Sequence, residues 1–274
     1  MKKLMFAATV AAAMAGFAVE SNIVGYQNFL TFDNSGYSLV GAQFRGVAGT
    51  TKTYSLQDIK PANGCTGPYY EDWDQGDGST VAPQIMVRNT SGIYTFYYYI
   101  ADAYEDGDGE WQPGWVDSGA YFLDDTTIAL GEGFWLYDIY NATPTWTIAG
   151  GVIDKDVDGT YPTDYTLTAN PFPMDLLIND KTKVDWGNLT GPYYEDWDQG
   201  DGSTVAPQIM VRNSSGIYSF LYYIADAYED GDGEWQPGWV DSGAYYYNDS
   251  KVDCGQGFWV FNPNEETVEM TYKK

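Results

Sequence analysis

Apolar and polar residues alternate along most of this chain with a period of two, in short runs interrupted by Gly, Asn, Asp and Pro. Ile85 to Arg88 leads through the turn residues Asn89 to Gly92 into Ile93 to Ile100, a run of β-forming side chains, and this predicts a hairpin. Similar short runs at Ile23 to Phe32, Ser38 to Phe44, Phe134 to Ile139 and Thr145 to Ile153 are separated by turn-forming clusters. Beyond the first residues no window of helical length carries an apolar stripe of period 3.6. The expected fold class is therefore all-β, as two tandem antiparallel β-sandwich or barrel-like modules. Within Ile93 to Ile100 one face holds Ile93, Thr95, Tyr97 and Tyr99 and the other Tyr94, Phe96, Tyr98 and Ile100, and one of the two must meet a core.

A long internal repeat sets the organisation. Residues Thr66 to Tyr121 recur as Thr190 to Tyr245, differing only at Thr90/Ser214, Thr95/Ser219 and Tyr97/Leu221. Outside this cassette the copies have drifted but keep a frame. Tyr37 to Phe44 matches Tyr165 to Phe172, Gly131 to Leu136 matches Gly255 to Val260, and Thr145 to Ile148 matches Val268 to Thr271. Ile23 to Gly25 matches Ile148 to Gly150. These matches place module 1 at residues 19–146 and module 2 at 147–274, each of ordinary domain size. The second module would then begin in the strand that ends the first, so that the two share a sheet edge or pack rigidly. Near identity between drifted flanks means either that the cassette has been recopied or that it is constrained as a unit.

The chain opens with Met1, Lys2 and Lys3, an apolar run from Leu4 to Ala13, and the small residues around Ala15 to Ala18. This pattern reads as a secretory signal peptide over residues 1–18, cleaved after Ala18, and no later stretch is apolar enough to cross a bilayer. The mature protein is expected to be secreted, periplasmic or held at a bacterial cell surface, without membrane insertion. Loss of Lys2 and Lys3 takes the net charge from −26 to about −28. A field of that sign repels phosphate backbones, which excludes nucleic acid as a partner. Each cassette holds ten acidic residues against one base, Arg88 or Arg212. There is no histidine, which removes most Ser-His, Cys-His and His-ligated metal chemistry. Cys65 and Cys254 align with Leu189 and Leu130 of the other copy, as small buried hydrophobes would; a bridge joining the modules is the alternative.

The residues Asn22 to Tyr26 (NIVGY) after a leader, the Tyr-x-Leu-x-x-x-x-Phe pattern of Tyr37 to Phe44, the Asn170-Pro171 pair and the GxGFWV strand of Gly255 to Val260 carry a resemblance. In these motifs the chain is similar to a group of uncharacterised secreted β-repeat proteins of the bacterial lineage that includes planctomycetes and verrucomicrobia. The resemblance covers both modules, implies an exported β-repeat protein and transfers no catalytic residues. Gly41 to Gln43 stands where the second copy has Ala169 to Pro171, a departure in the first module.

Two acidic loops per cassette suggest metal binding. Asp72, Asp74 and Asp77, then Asp106, Asp108 and Glu110, repeat as Asp196, Asp198 and Asp201, then Asp230, Asp232 and Glu234. Calcium takes six to eight oxygen ligands, and closely spaced Asp side chains on a turn supply several. The EF-hand spacing is not met, and solvated hairpin loops use the same residues. The six cassette tryptophans Trp73, Trp111, Trp115, Trp197, Trp235 and Trp239 are candidates to stack on a ligand such as a sugar, or else to fill a thin core. Paired carboxylates raise glycoside hydrolysis, but two full active sites in modules this small would be unusual, and no catalytic residue is assigned. The GxGFW segment reads as a glycine-kinked start of a strand. The expected function is a secreted non-enzymatic tandem β-repeat protein with a cell-surface, matrix or adhesion role and calcium-stabilised acidic loops. The alternative is a carbohydrate-binding protein, with a glycosidase ranked below both. The partners would be an extracellular glycan, another surface protein or further copies of the chain.

Overall fold

The computed structural model describes residues 24–29, 32–33, 35–45, 53–73, 80–89, 91–197 and 204–274; the expected signal peptide lies outside them. The protein is all-β, built from antiparallel sheets of which none closes into a barrel. The first ten strands are β1 (Val24–Phe29), β2 (Tyr37–Gly41), β3 (Thr53–Ser55), β4 (Lys60–Pro61), β5 (Gln84–Arg88), β6 (Tyr94–Glu105), β7 (Trp111–Val116), β8 (Thr127–Ala129), β9 (Gly133–Tyr137) and β10 (Trp146–Gly151). The next ten are β11 (Val157–Tyr161), β12 (Asp164–Ala169), β13 (Leu176–Leu177), β14 (Val184–Asp185), β15 (Gln208–Arg212), β16 (Tyr218–Glu229), β17 (Trp235–Val240), β18 (Lys251–Val252), β19 (Gly257–Asn262) and β20 (Val268–Tyr272).

The two sets of ten have one topology. A five-stranded sheet runs β2-β9-β5-β6-β7 in the first and β12-β19-β15-β16-β17 in the second. A three-stranded sheet, β1-β10-β4 or β11-β20-β14, and a two-stranded ribbon, β3-β8 or β13-β18, complete each module. This topology moves the expected boundary. β10 pairs with β1 from Val24↔Gly151 to Phe29↔Trp146, as β20 pairs with β11. Residues 146–151 therefore finish module 1 instead of opening module 2. Among the described residues no strand is shared, and the link falls at residues 152–156. Gly25 and Gly150, set opposite each other as copies when residues 23–25 are matched to 148–150, are partners in one antiparallel ladder.

Alternation along the strands builds the core. Ile85 pairs with Tyr97 on one side and with Leu136 on the other, so these side chains fall on one face of the sheet. That face, with Tyr99, Trp115, Phe134 and Trp146, makes the core of module 1. Trp115 and Trp146 lie 5.2 Å apart, with Tyr99 at 5.3 Å from each. Trp115 Nε1 donates to the Ile59 carbonyl at 2.8 Å, and Trp146 Nε1 to Asp138 Oδ2 at 2.9 Å. Module 2 repeats the cluster with Trp239, Tyr223 and a tryptophan from another strand region, Trp186. There Trp239 Nε1 is buried without a hydrogen-bond partner.

The opposite face of the long strand is also covered over part of its length. Residues 66–73 and 80–83 lie back over the sheet so that Trp73 and Ala82 pack on Ile100, Ala103 and Val116, with the Trp73 and Tyr98 rings 4.9 Å apart. Ala101 N–H donates to Pro68 O at 2.8 Å, and Tyr70 N–H to Asp102 Oδ1 at 2.6 Å. A register shift between Ile100 and Tyr104 turns Asp102 toward this loop. The predicted hairpin of Ile85 to Ile100 is thus the start of a larger unit, in which β6 continues to Glu105. The outer strand β7 is an exposed sheet edge restrained by a side chain. Gln57 Nε2 donates to Trp115 O and Leu123 O, while its Oε1 accepts from Trp115 N–H. Asn179 does the same to Trp239 and Tyr247, and such capping leaves less of the edge open to a further strand.

The modules meet reciprocally. Gly41 N–H donates to Gly255 O at 2.9 Å, and Ala169 N–H to Gly131 O at 2.8 Å. Val40 bridges Gln256, and Glu132 bridges Thr168. The GxGFW glycines lie in this contact: a Cβ on Gly133 would stand 2.6 Å from Thr168 O, and one on Gly257 2.8 Å from Val40 O. The kink expected at these strand starts is a close backbone approach between modules. Arg88 reaches across to lie 5.3 Å from the Trp259 ring centroid, and Arg212 lies 5.2 Å from that of Trp135. The junction thus has the self-complementary form of a twofold dimer interface within one chain.

Two outcomes follow. Trp115→Phe should destabilise the protein more than Trp239→Phe, by about 1–3 kcal/mol, because only the former orphans a buried carbonyl; denaturant midpoints of the two variants measure the difference. Gly257→Ala should cost about 1–3 kcal/mol by overpacking the junction, read as a fall in melting temperature, whereas Gly231→Ala, where an added Cβ meets nothing within 4 Å, should cost far less.

Candidate functional site: the cassette loops and the junction groove

One loop device recurs through both modules. Asp106 N–H donates to Glu110 O, and Gly109 N–H donates to Asp106 O. Asp106 Oδ1 accepts from the N–H groups of Asp108 and Glu110, both at 3.0 Å, while Oδ2 accepts from Gln112 Nε2 at 2.8 Å. Gly109 takes φ +82°, which closes the turn. The same side-chain cap, from one Oδ1 to the N–H groups two and four residues on, is built at Asp33, Asn89, Asp117, Asn213, Asp230 and Asp241. Asp and Asn side chains fold back on their own backbone in this way. At the Asp117 loop Ala120 holds the left-handed position, at φ +62°, and packs on the cluster around Trp73.

These caps give Asp106 and Asp230 a structural role in the second acidic loop. Both oxygens of Asp106 are engaged by the turn, as are those of Asp230. Among the described residues no three His, Cys, Asp or Glu side chains converge as a metal site, so Asp106, Asp108 and Glu110 do not gather around a common point, nor do Asp230, Asp232 and Glu234. Asp72 and Asp196 lie in turns that follow Tyr69 and Tyr193. Asp74, Asp77, Asp198 and Asp201 lie outside the described residues.

The six tryptophans separate into three kinds. Trp115 and Trp239 are wholly buried in the module cores, so neither can stack on a ligand. Trp73 and Trp197 are nearly buried and pin the acidic loops to the sheets. Trp111 and Trp235 alone of the six stand out from the surface, each 62% exposed, at the start of the edge strands and next to Glu110 and Glu234. Tyr69, Tyr70 and Tyr121, with Tyr193, Tyr194 and Tyr245, are exposed as well. No disulfide joins the cysteines, Cys65 being half-buried and Cys254 exposed. Neither joins a core cluster; Cys65 Sγ accepts from Thr145 N–H at 3.4 Å, and Cys254 sits in the turn before β19, where partial burial raises its thiol pKa.

A concave site lies at the junction, where the sequence offered no motif. Arg88, Tyr165, Met210, Tyr218, Phe220 and Trp259 line a groove of about 370 Å³, within the size range of small-ligand sites. Five of these come from the outward face of the second five-stranded sheet, and Arg88 comes from the first module. Arg88 was visible in the sequence as the only base of its cassette, on the strand face opposite Ile85 and Val87, but nothing local indicates that it crosses to another module. No protein-family model, curated protein or solved structure matches the chain.

The caps carry a pH dependence. Backbone N–H bonds from Glu110 and then Asp108 hold the Asp106 carboxyl below its ordinary value, and Glu234 and Asp232 do the same for Asp230. A lowered folded pKa contributes stability that is present above the unfolded pKa and lost as pH falls through the folded one. Exchange protection of the Asp108 and Glu110 amides should therefore fall below about pH 4. Asp106→Asn should keep its protection down to pH 2, because an amide oxygen still accepts both bonds; equal acid sensitivity in the variant would refute the assignment.

Proposed function

We propose that this chain is an exported, non-enzymatic tandem β-repeat protein that acts through its surfaces, in adhesion at a bacterial cell surface or within an extracellular matrix. The observation that carries this reading is the duplicated display of Trp111 and Trp235. Each is equally exposed, at the same place on an edge hairpin, beside the same acidic turn. Large exposed aromatics rimmed by polar groups mark interaction surfaces. Two identical surfaces on one chain also favour a repetitive target, since linked weak contacts reinforce each other without new chemistry. The leader-like residues 1–18, the strongly acidic composition and the likeness to secreted β-repeat proteins support export. Among the described residues no helix is long and apolar enough to cross a membrane.

A carbohydrate target is the second reading. It is favoured by the exposed indoles of Trp111 and Trp235, each next in the chain to an exposed glutamate, Glu110 or Glu234, whose carboxylate suits sugar hydroxyls. The test is a binding screen of the mature chain against immobilised polysaccharides and extracellular matrix. Trp111→Ala and Trp235→Ala should each weaken retention by about tenfold, and the double variant should abolish it. Retention on no surface, or retention unchanged in the double variant, would reject the reading.

A further inference from the structure

Arg88 and Arg212 are the same residue of the cassette in two copies, each lying over a tryptophan of the other module, but only one of them is matched by a carboxylate. Arg212 forms an ion pair with Asp33, with side-chain exposures of 14% and 3%. Four residues before the matching tyrosines Tyr37 and Tyr165, module 1 carries Asp33 and module 2 carries Tyr161. Tyr161 turns inward, its hydroxyl 2.6 Å from that of Tyr272. Among the described residues no carboxylate pairs with Arg88. Its Nη1 donates to Tyr165 O at 2.6 Å.

The turn glycines locate the difference in space. An added Cβ on Gly216 would lie 2.9 Å from Arg212 Nη2 and 3.0 Å from Asp33 Oδ2. On Gly92 the same atom would lie 2.8 Å from Arg88 Nη2, and the three nearest atoms all belong to Arg88. The two guanidinium groups thus sit alike, and the place filled by Asp33 beside one holds no carboxylate beside the other. Arg88 itself lines the groove together with Tyr165, Met210, Tyr218, Phe220 and Trp259. A guanidinium fork suits a carboxylate, and the aromatic and thioether walls suit the flat face of a ring.

We propose that the junction groove binds a small ring compound bearing one carboxylate, with the carboxylate on Arg88 as Asp33 is on Arg212, and the ring against Trp259 and Phe220. Aromatic acids and uronic acids share this chemistry. The site is separate from the Trp111 and Trp235 surfaces, so its failure would leave the adhesion reading untouched.

The test titrates the full mature chain with benzoate, benzamide, glucuronate and glucose, following chemical shifts of the tryptophan indole N–H groups. At least one of the two acids should bind with one site per chain and at least about tenfold more tightly than its neutral counterpart. Saturation by benzoate alone identifies an aromatic acid, and by glucuronate alone a uronate. Arg88→Gln should lose that preference, whereas Arg212→Gln should retain it. Asp33→Ala, which frees Arg212, should raise the stoichiometry from one to two; if that variant does not fold, Arg88→Gln decides. Acid and neutral probes binding alike, no saturable binding by either acid, or undiminished binding in Arg88→Gln would each overturn the proposal.

Discussion

The structure depends on the close backbone approach between modules at Gly133 and Gly257. A five-stranded sheet has two faces, and the aromatic content of these strands leaves neither face polar enough to be wholly solvated. In each module one face is buried by its own smaller sheets and the other partly by the loop that carries Trp73 or Trp197. What remains, around Trp135 and Trp259, is partly covered by the neighbouring module. The cover requires strand ends without side chains, so that Thr168 O and Val40 O can come as close as they do. Once the sheets meet there, Arg88 and Arg212 reach the opposite tryptophans, and the groove forms between them.

The acidity of the chain has two separable origins. Asp106 and Asp117 cap turns, and Asp102 anchors the folded-back loop through Tyr70. Asn89, however, caps its turn with the same geometry and no charge. The turns need an acceptor oxygen, not a negative one. The ionised residues therefore add something the turn geometry does not require: a repulsive surface field of negative sign.

Much of the fold was legible in the chain, and the reasons are local. Alternation and turn residues identify the hairpin of Ile85 to Ile100, and the repeat identifies two modules of like topology. The module boundary was misread because Gly25 and Gly150 resemble copies of one motif when they are partners in one ladder. The tryptophans were harder still. Trp111 and Trp115 are four residues apart on one strand, and one is exposed while the other is wholly buried. Alternation puts both on one face of β7, whose partner β6 carries the irregularity between Ile100 and Tyr104; exposure differs because the core cluster reaches Trp115 and not Trp111.

By itself the sequence determined the β class, the duplication, the position of the turns and the sign of the surface charge, because each follows from neighbours along the chain. Tertiary structure alone decided which aromatics are core and which are surface, that the cysteines are not bridged to each other, and that two identical arginines differ in their partners. Those outcomes depend on which atoms lie across a sheet or across the junction. Asp33 and Arg212 are far apart in the chain and in different modules, and only the reciprocal packing of the sheets brings them together while leaving Arg88 facing an open groove.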